Sequence, residues 1–230
     1  MYANQETLWR TTISRNPDAF MPHNNLGSVL FGQSRLNEAM FHFQEALRLK
    51  PDNEVAYHNV GYVLVHKGQL DDAIVQFRKS LEIAPNYPRA HINIANVFMI
   101  KGQVREAIAH YRSAWEARPN NADTAYKLAW LLATYPDHTL RNGPKAIELA
   151  QHADWLSGRK NPVFIAALAA AYAESGRFSQ AITTAKRALE LARSQGNEAM
   201  VDALVTQIAL YEAGIPFRDS SRMKAPTPAE

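Results

Sequence analysis

The chain has 230 residues, 47% hydrophobic and 20% charged, with a formal net charge of +3. That balance is too apolar for a disordered chain, and its lysines and arginines are scattered, which gives nucleic acid no basic footprint. With no cysteine, disulfides, thiol catalysis and cysteine-based zinc sites are excluded. The polar start, Met1 to Thr7, lacks the apolar stretch of a signal peptide. The longest apolar run, Val163 to Ala173, is about half a membrane span. The expectation is a soluble, cytoplasmic chain.

The first element is a helix over residues 5–16, stopped by Pro17. That proline opens a series: Pro17, Pro51, Pro85 and Pro119 are each 34 residues apart. Proline cannot continue a helix and forces the residue before it toward extended geometry, so the series marks recurring helix ends. Other columns share the period. Gly27, Gly61, Ala95 and Ala129 are small, as are Ala39, Ala73 and Ala107, and both sets suit close helix crossings. Trp9, Phe43, Phe77 and Tyr111 form an aromatic column expected to fill the space between one hairpin and the next.

The register yields a half repeat at 1–19 with an unpaired helix, then complete hairpins at 20–53, 54–87 and 88–121. Asp52-Asn53 and Asn120-Asn121 are turn and N-cap types for the next helix. Gly68 and Gly102 stand between paired helices, where a glycine closes the first of them. In the fourth hairpin, 122–161, the small residues Ala129 and Ala169 are 40 apart instead of 34. Most of the excess falls in an expanded turn, 135–144, bracketed by Pro136 and Pro144. A fifth hairpin spans 162–196. A capping helix at 197–214 is expected to cover the last apolar face. Residues 215–230, with Pro226 and Pro228, read as a disordered tail.

A 34-residue period with small, aromatic and proline columns, seen in His23-x-x-Leu26-Gly27-x-x-Leu30, Ala39-x-x-x-Phe43 and Pro51, resembles the tetratricopeptide repeat (TPR) family. The resemblance covers about residues 5 to 195. It implies an all-α fold: a right-handed TPR superhelix, or α-solenoid, of antiparallel helix hairpins. The segment from Leu128 through Asp137, with Arg141-Asn-Gly, Asn161-Pro and Leu168 through Phe178, is similar to the closing module of a group of bacterial TPR proteins. Several of these carry the repeats after a multi-pass, sugar-transferase-like membrane region. That resemblance implies an alternative placement at the periplasmic face of the inner membrane, as a soluble accessory domain that positions acceptor protein. A third reading is self-assembly into a homo-oligomer through an apolar edge around Trp9 on the unpaired helix.

No catalytic constellation is legible. The histidines form no HExxH or other metal spacing, and no glycine-rich phosphate loop or GxSxG occurs. His23 and His91 share a column with Tyr57 and read as packing residues. No cofactor, metal or small-molecule substrate is expected. The expected function is a protein-interaction scaffold whose first helices hold an extended peptide or partner.

Two residues before the small column stand Asn25, Asn59, Asn93 and Lys127. Three asparagines at this spacing would recur about 10 Å apart, one per hairpin, and each amide can both donate to and accept from a peptide backbone. The TPR transferase that glycosylates proteins has a similar ladder. One residue after the column lie Tyr62, Asn96 and Trp130, the aromatics being candidate anchors. His58, Arg89 and Tyr126 add polar contacts. Arg89 and Lys127 alone are too few cations for the clamp that holds an acidic C-terminal tail.

Overall fold

The computed structural model describes the backbone of residues 2–221 and the side chains of 5–221. Within that range it is built of twelve α-helices and one short 3-10 turn. One compact unit runs up to Val97 and a second begins at Phe98.

The first unit contains α1 (Tyr2–Arg15), α2 (Phe20–Gly32), α3 (Leu36–Leu49), α4 (Glu54–His66), α5 (Leu70–Ile83) and most of α6 (Pro88–Ile100). Pairs α2/α3 and α4/α5 are hairpins. Their tight turns need a residue in the left-handed region. Gly68 takes it at φ 75°, and Ser34, at the same repeat position, takes it at φ 61°. A side chain carries a steric cost there that glycine avoids. Helix α4 starts on Asn53, whose Oδ1 accepts the Ala56 amide at 3.1 Å.

The small and aromatic columns meet inside each hairpin. A Cβ on Gly27 would lie 2.7 Å from the Phe43 ring, and one on Gly61 2.7 Å from Phe77. The aromatic column therefore packs first against its own hairpin, rather than only filling the gap to the next. Phe43 joins Leu26, Leu30, Ala39, Val60 and Val63 in one buried cluster, and Trp9 and Ile13 of α1 pack against it. The tryptophan is thus partly covered by the chain itself, not left as an open apolar edge. Leu8 faces outward. Glu6 of α1 pairs with Arg10 at 2.8 Å and Arg35 at 3.0 Å, fastening α1 to the α2–α3 turn.

The second unit contains α7 (Val104–Ala117), α8 (Ala122–Thr134), the 3-10 turn (His138–Leu140), α9 (Gly143–Leu156), α10 (Pro162–Glu174), α11 (Phe178–Ser194) and α12 (Glu198–Glu212). Asparagines start four of its helices: Asn121, Asn142, Asn161 and Asn197 each accept an amide of the first turn. The long apolar run becomes α10, which packs on α8, α9 and α11 and is buried from Phe164 to Ala173. Helix α12 packs on α11 and buries Leu204, Ile208 and Tyr211.

Beyond α12 the structure departs from the expectation of a disordered tail over 215–230. Pro216 to Asp219 are half-buried, because the chain turns back onto α8 and finds hydrogen-bond partners there. The remainder of that expected tail, 222–230, lies outside the described residues. Among the described residues no helix is long and apolar enough to cross a membrane.

Candidate functional site

The first helices of the first unit carry a hydrogen-bonded row of polar side chains. Asn93 on α6 approaches His58 on α4, with Nδ2 2.9 Å from Nε2. The other ring nitrogen of His58, Nδ1, lies 3.1 Å from Asn59 Oδ1. Asn59 Nδ2 in turn donates to Asn24 Oδ1 on α2 at 3.0 Å. One tautomer satisfies the whole row: neutral His58 accepts at Nε2 and donates at Nδ1. The row links three successive first helices and fixes its amides before any ligand arrives.

The bonds run diagonally. Asn24 to Asn59, and His58 to Asn93, are each separated by 35 residues, one more than the repeat. A side chain on a helix leans back toward the preceding turn, so its partner on the neighbouring hairpin is one step out of column. Asn59 and Asn93 are members of the row, its first member is Asn24, and Asn25 is half-buried beside it. A search for polar pairs at one more than the period would have found Asn24.

Beside the row lies an aromatic cluster. Tyr62, 39% exposed, sits 5.0 Å from the Phe31 ring and 5.0 Å from His66 in an edge contact. His58 stacks 6.3 Å from Tyr62 and meets Tyr87 edge-on at 5.4 Å. Arg89 is exposed and near enough to Tyr87 and His58 to act on both electrostatically. Asn96 is half-buried on α6.

Tyr126, Lys127 and Trp130 all lie on α8 in the second unit. Lys127 Nζ stands 5.8 Å over the Tyr111 ring. Tyr126 packs 5.2 Å from Phe164. Trp130 is half-buried, and its indole N–H donates to the Asp219 carboxylate at 2.7 Å. The ten expected residues therefore fall into two groups, one in each unit. Among the described residues no group of three or more His, Asp or Glu is placed to hold a metal.

Burial pushes the His58 pKa below its ordinary value, as does the Arg89 charge, with the Asn59 bond acting the other way. His42 is lowered from 6.5 to about 4 by burial, then by His23 and Arg10. Its Nδ1 lies 3.0 Å from that of His23. A histidine whose folded pKa lies below its unfolded one leaves the unfolded chain as the better proton acceptor. The stabilisation is complete above about pH 6.5 and is lost as pH falls toward the folded pKa. The urea midpoint is accordingly expected to fall between pH 7.5 and pH 5, and an unchanged or higher midpoint at pH 5 would contradict neutral, buried histidines.

The geometry defines an all-α repeat of helix hairpins whose first helices present side chains in register. Tetratricopeptide repeat families match residues 21–53, 42–75, 88–121 and 165–199, and a TPR repeat family matches 61–102. The chain belongs to the TPR proteins, and its repeats are those of a protein-interaction scaffold. No curated protein matches it in sequence. Among solved structures it is similar to YrrB, described as a TPR protein with an unusual peptide-binding site. The TM-score is 0.68 at 17% identity, covering 86% of this chain and 97% of that one. It is also similar to a MamA protein, with TM-score 0.62 at 18% identity, covering 77% of this chain and 93% of that one. A MamA fragment from Desulfovibrio magneticus RS-1 gives TM-score 0.62 at 20% identity, covering 76% and 96%. At these identities the likeness shows the fold.

Proposed function

We propose that the first-helix face of the first unit binds an extended peptide, with Asn59 and Asn93 holding its backbone and Tyr62 anchoring a side chain. The observation that carries this reading is the pre-ordered row from Asn24 to Asn93 alongside an exposed tyrosine. Each amide has more donor and acceptor sites than its bond within the row uses. An extended chain rises about 3.3 Å per residue, so hairpins about 10 Å apart would engage every third residue of a ligand. Asn25, Asn96, His58 and Arg89 would flank that path. The peptide-binding site ascribed to YrrB supports the reading by analogy of fold.

The test is selection of dodecapeptides from a displayed library on the wild-type chain. Asn59→Ala with Asn93→Ala should weaken selected peptides by roughly 1–3 kcal/mol, about 5- to 150-fold. Tyr62→Ala should cost about 2 kcal/mol, near 30-fold. Selected peptides that bind both variants as tightly as wild type, with helicity preserved, would remove the face from consideration.

A further inference from the structure

The segment that follows α12 is seated on the second unit in the manner of a bound peptide. Ile215 closes α12, its amide donating to Leu210 O at 2.9 Å. Three consecutive residues then engage Trp130, Glu174 and the end of α8. The Phe217 ring lies 5.9 Å from that of Trp130. Arg218 Nη2 lies 2.7 Å from Glu174 Oε2, and its Nη1 donates to Ala133 O at 3.2 Å. The Asp219 carboxylate accepts from Trp130 Nε1 at 2.7 Å, and its amide donates to Thr134 O at 3.0 Å.

The acceptors are what a helix end leaves over. The last four carbonyls of an α-helix have no partner within it and carry partial negative charge. On α8, Leu131 O is taken by the Tyr135 amide and Leu132 O by the Asn142 amide. Ala133 O and Thr134 O are taken by the returning segment. A cation at this end also suits the helix dipole. Backbone hydrogen bonding combined with separate sites for successive side chains is the pattern of extended-peptide recognition.

We infer that the C-terminal ends of α8 and α10, with Trp130 and Glu174 at their centre, form a second peptide site selective for an aromatic–Arg–Asp segment. Residues 216–221 of this chain are its resident, tethered ligand. A competing segment of that chemistry enters only when the resident leaves. The site is separate from the face of the first unit and does not depend on that reading.

A tether of this kind holds its ligand at about millimolar effective concentration. Against an intrinsic Kd near 0.1 mM, it lowers the apparent affinity for a free competitor about tenfold. The probe is a fluorescein-labelled peptide of residues 214–221 with blocked ends. The 230-residue chain carrying Phe217→Ala, Arg218→Ala and Asp219→Ala should bind it about tenfold more tightly than wild type does, by fluorescence anisotropy. A peptide with its Arg and Asp exchanged should not bind. Adding Asn59→Ala and Asn93→Ala should leave the result unchanged, which separates this site from the first. Equal binding by the wild type and the triple variant overturns the inference. So does failure of a folded triple variant to bind. If the triple variant does not fold, amide exchange of the wild type decides. Protection at Asp219 supports docking, and exchange at the free-peptide rate overturns it.

Discussion

Phe77→Ala is expected to lower the unfolding free energy of the first unit by about 3–5 kcal/mol, the range for truncating a buried phenylalanine. The ring is fully buried. It lies against Gly61 on one side and 5.7 Å from the His58 ring on another. The site cannot collapse well, because the facing residue is a glycine with no side chain to move into the space. The cost should therefore sit in the upper part of that range. Phe41→Ala is the control: its side chain is largely exposed, and the change should stay within about 0.5 kcal/mol. Gly61→Ala in the wild type would press a Cβ to 2.7 Å from the Phe77 ring. In the Phe77→Ala background the same methyl meets empty space and gains about 1 kcal/mol of helix propensity. The two substitutions are thus expected to be non-additive, with the double variant recovering stability that Phe77→Ala alone loses. Urea unfolding followed by circular dichroism measures all four species. A loss below about 1 kcal/mol for Phe77→Ala would contradict this packing.

The repeat columns explain why so much of the hairpin architecture was legible. Gly27 against Phe43 and Gly61 against Phe77 are the same steric solution applied twice, so each copy reinforces the reading of the other. Helix ends were legible for a similar reason, since the asparagine caps and turn glycines act through neighbouring backbone. Ser34 shows the limit of that reasoning: it occupies the left-handed turn position that glycine fills in the next hairpin. The polar row was only partly legible. Its members sit at the repeat spacing, but its bonds cross from column to column, so the column of Asn25, Asn59 and Asn93 does not reach Asn24. The returning segment gave no periodic signal. Trp130 and Asp219 are 89 residues apart, and a stretch holding proline, arginine and aspartate has the composition of a tail. What holds it is two leftover carbonyls of α8, one carboxylate and one indole, a combination visible only once the helices are in place. Trp130, expected as an anchor for an outside ligand, already has an occupant.

Arg141→Ala is the second large effect expected, and it tests how the expanded turn of the fourth hairpin is held. The Arg141 side chain is 14% exposed and pairs with Glu174 at 2.9 Å. It also donates to Tyr135 O at 2.9 Å and Pro136 O at 2.7 Å. One guanidinium thus holds two carbonyls of the irregular turn and one carboxylate at the end of α10. Removing one member of a buried pair costs about 3–5 kcal/mol when the survivor is stranded. Here Glu174 keeps Arg218, its second cation, at 2.7 Å, so the loss should be nearer 2–3 kcal/mol. Arg141→Lys keeps the charge but lacks the planar fork that reaches three acceptors together, and should lose about 1–2 kcal/mol. Substituting Glu174→Ala in the Arg141→Ala background removes the carboxylate that Arg141 pairs with. The double variant should therefore cost at least about 1 kcal/mol less than the sum of the singles. Additive losses would mean that Arg141 acts through the turn carbonyls alone and that its ion pair with Glu174 contributes nothing.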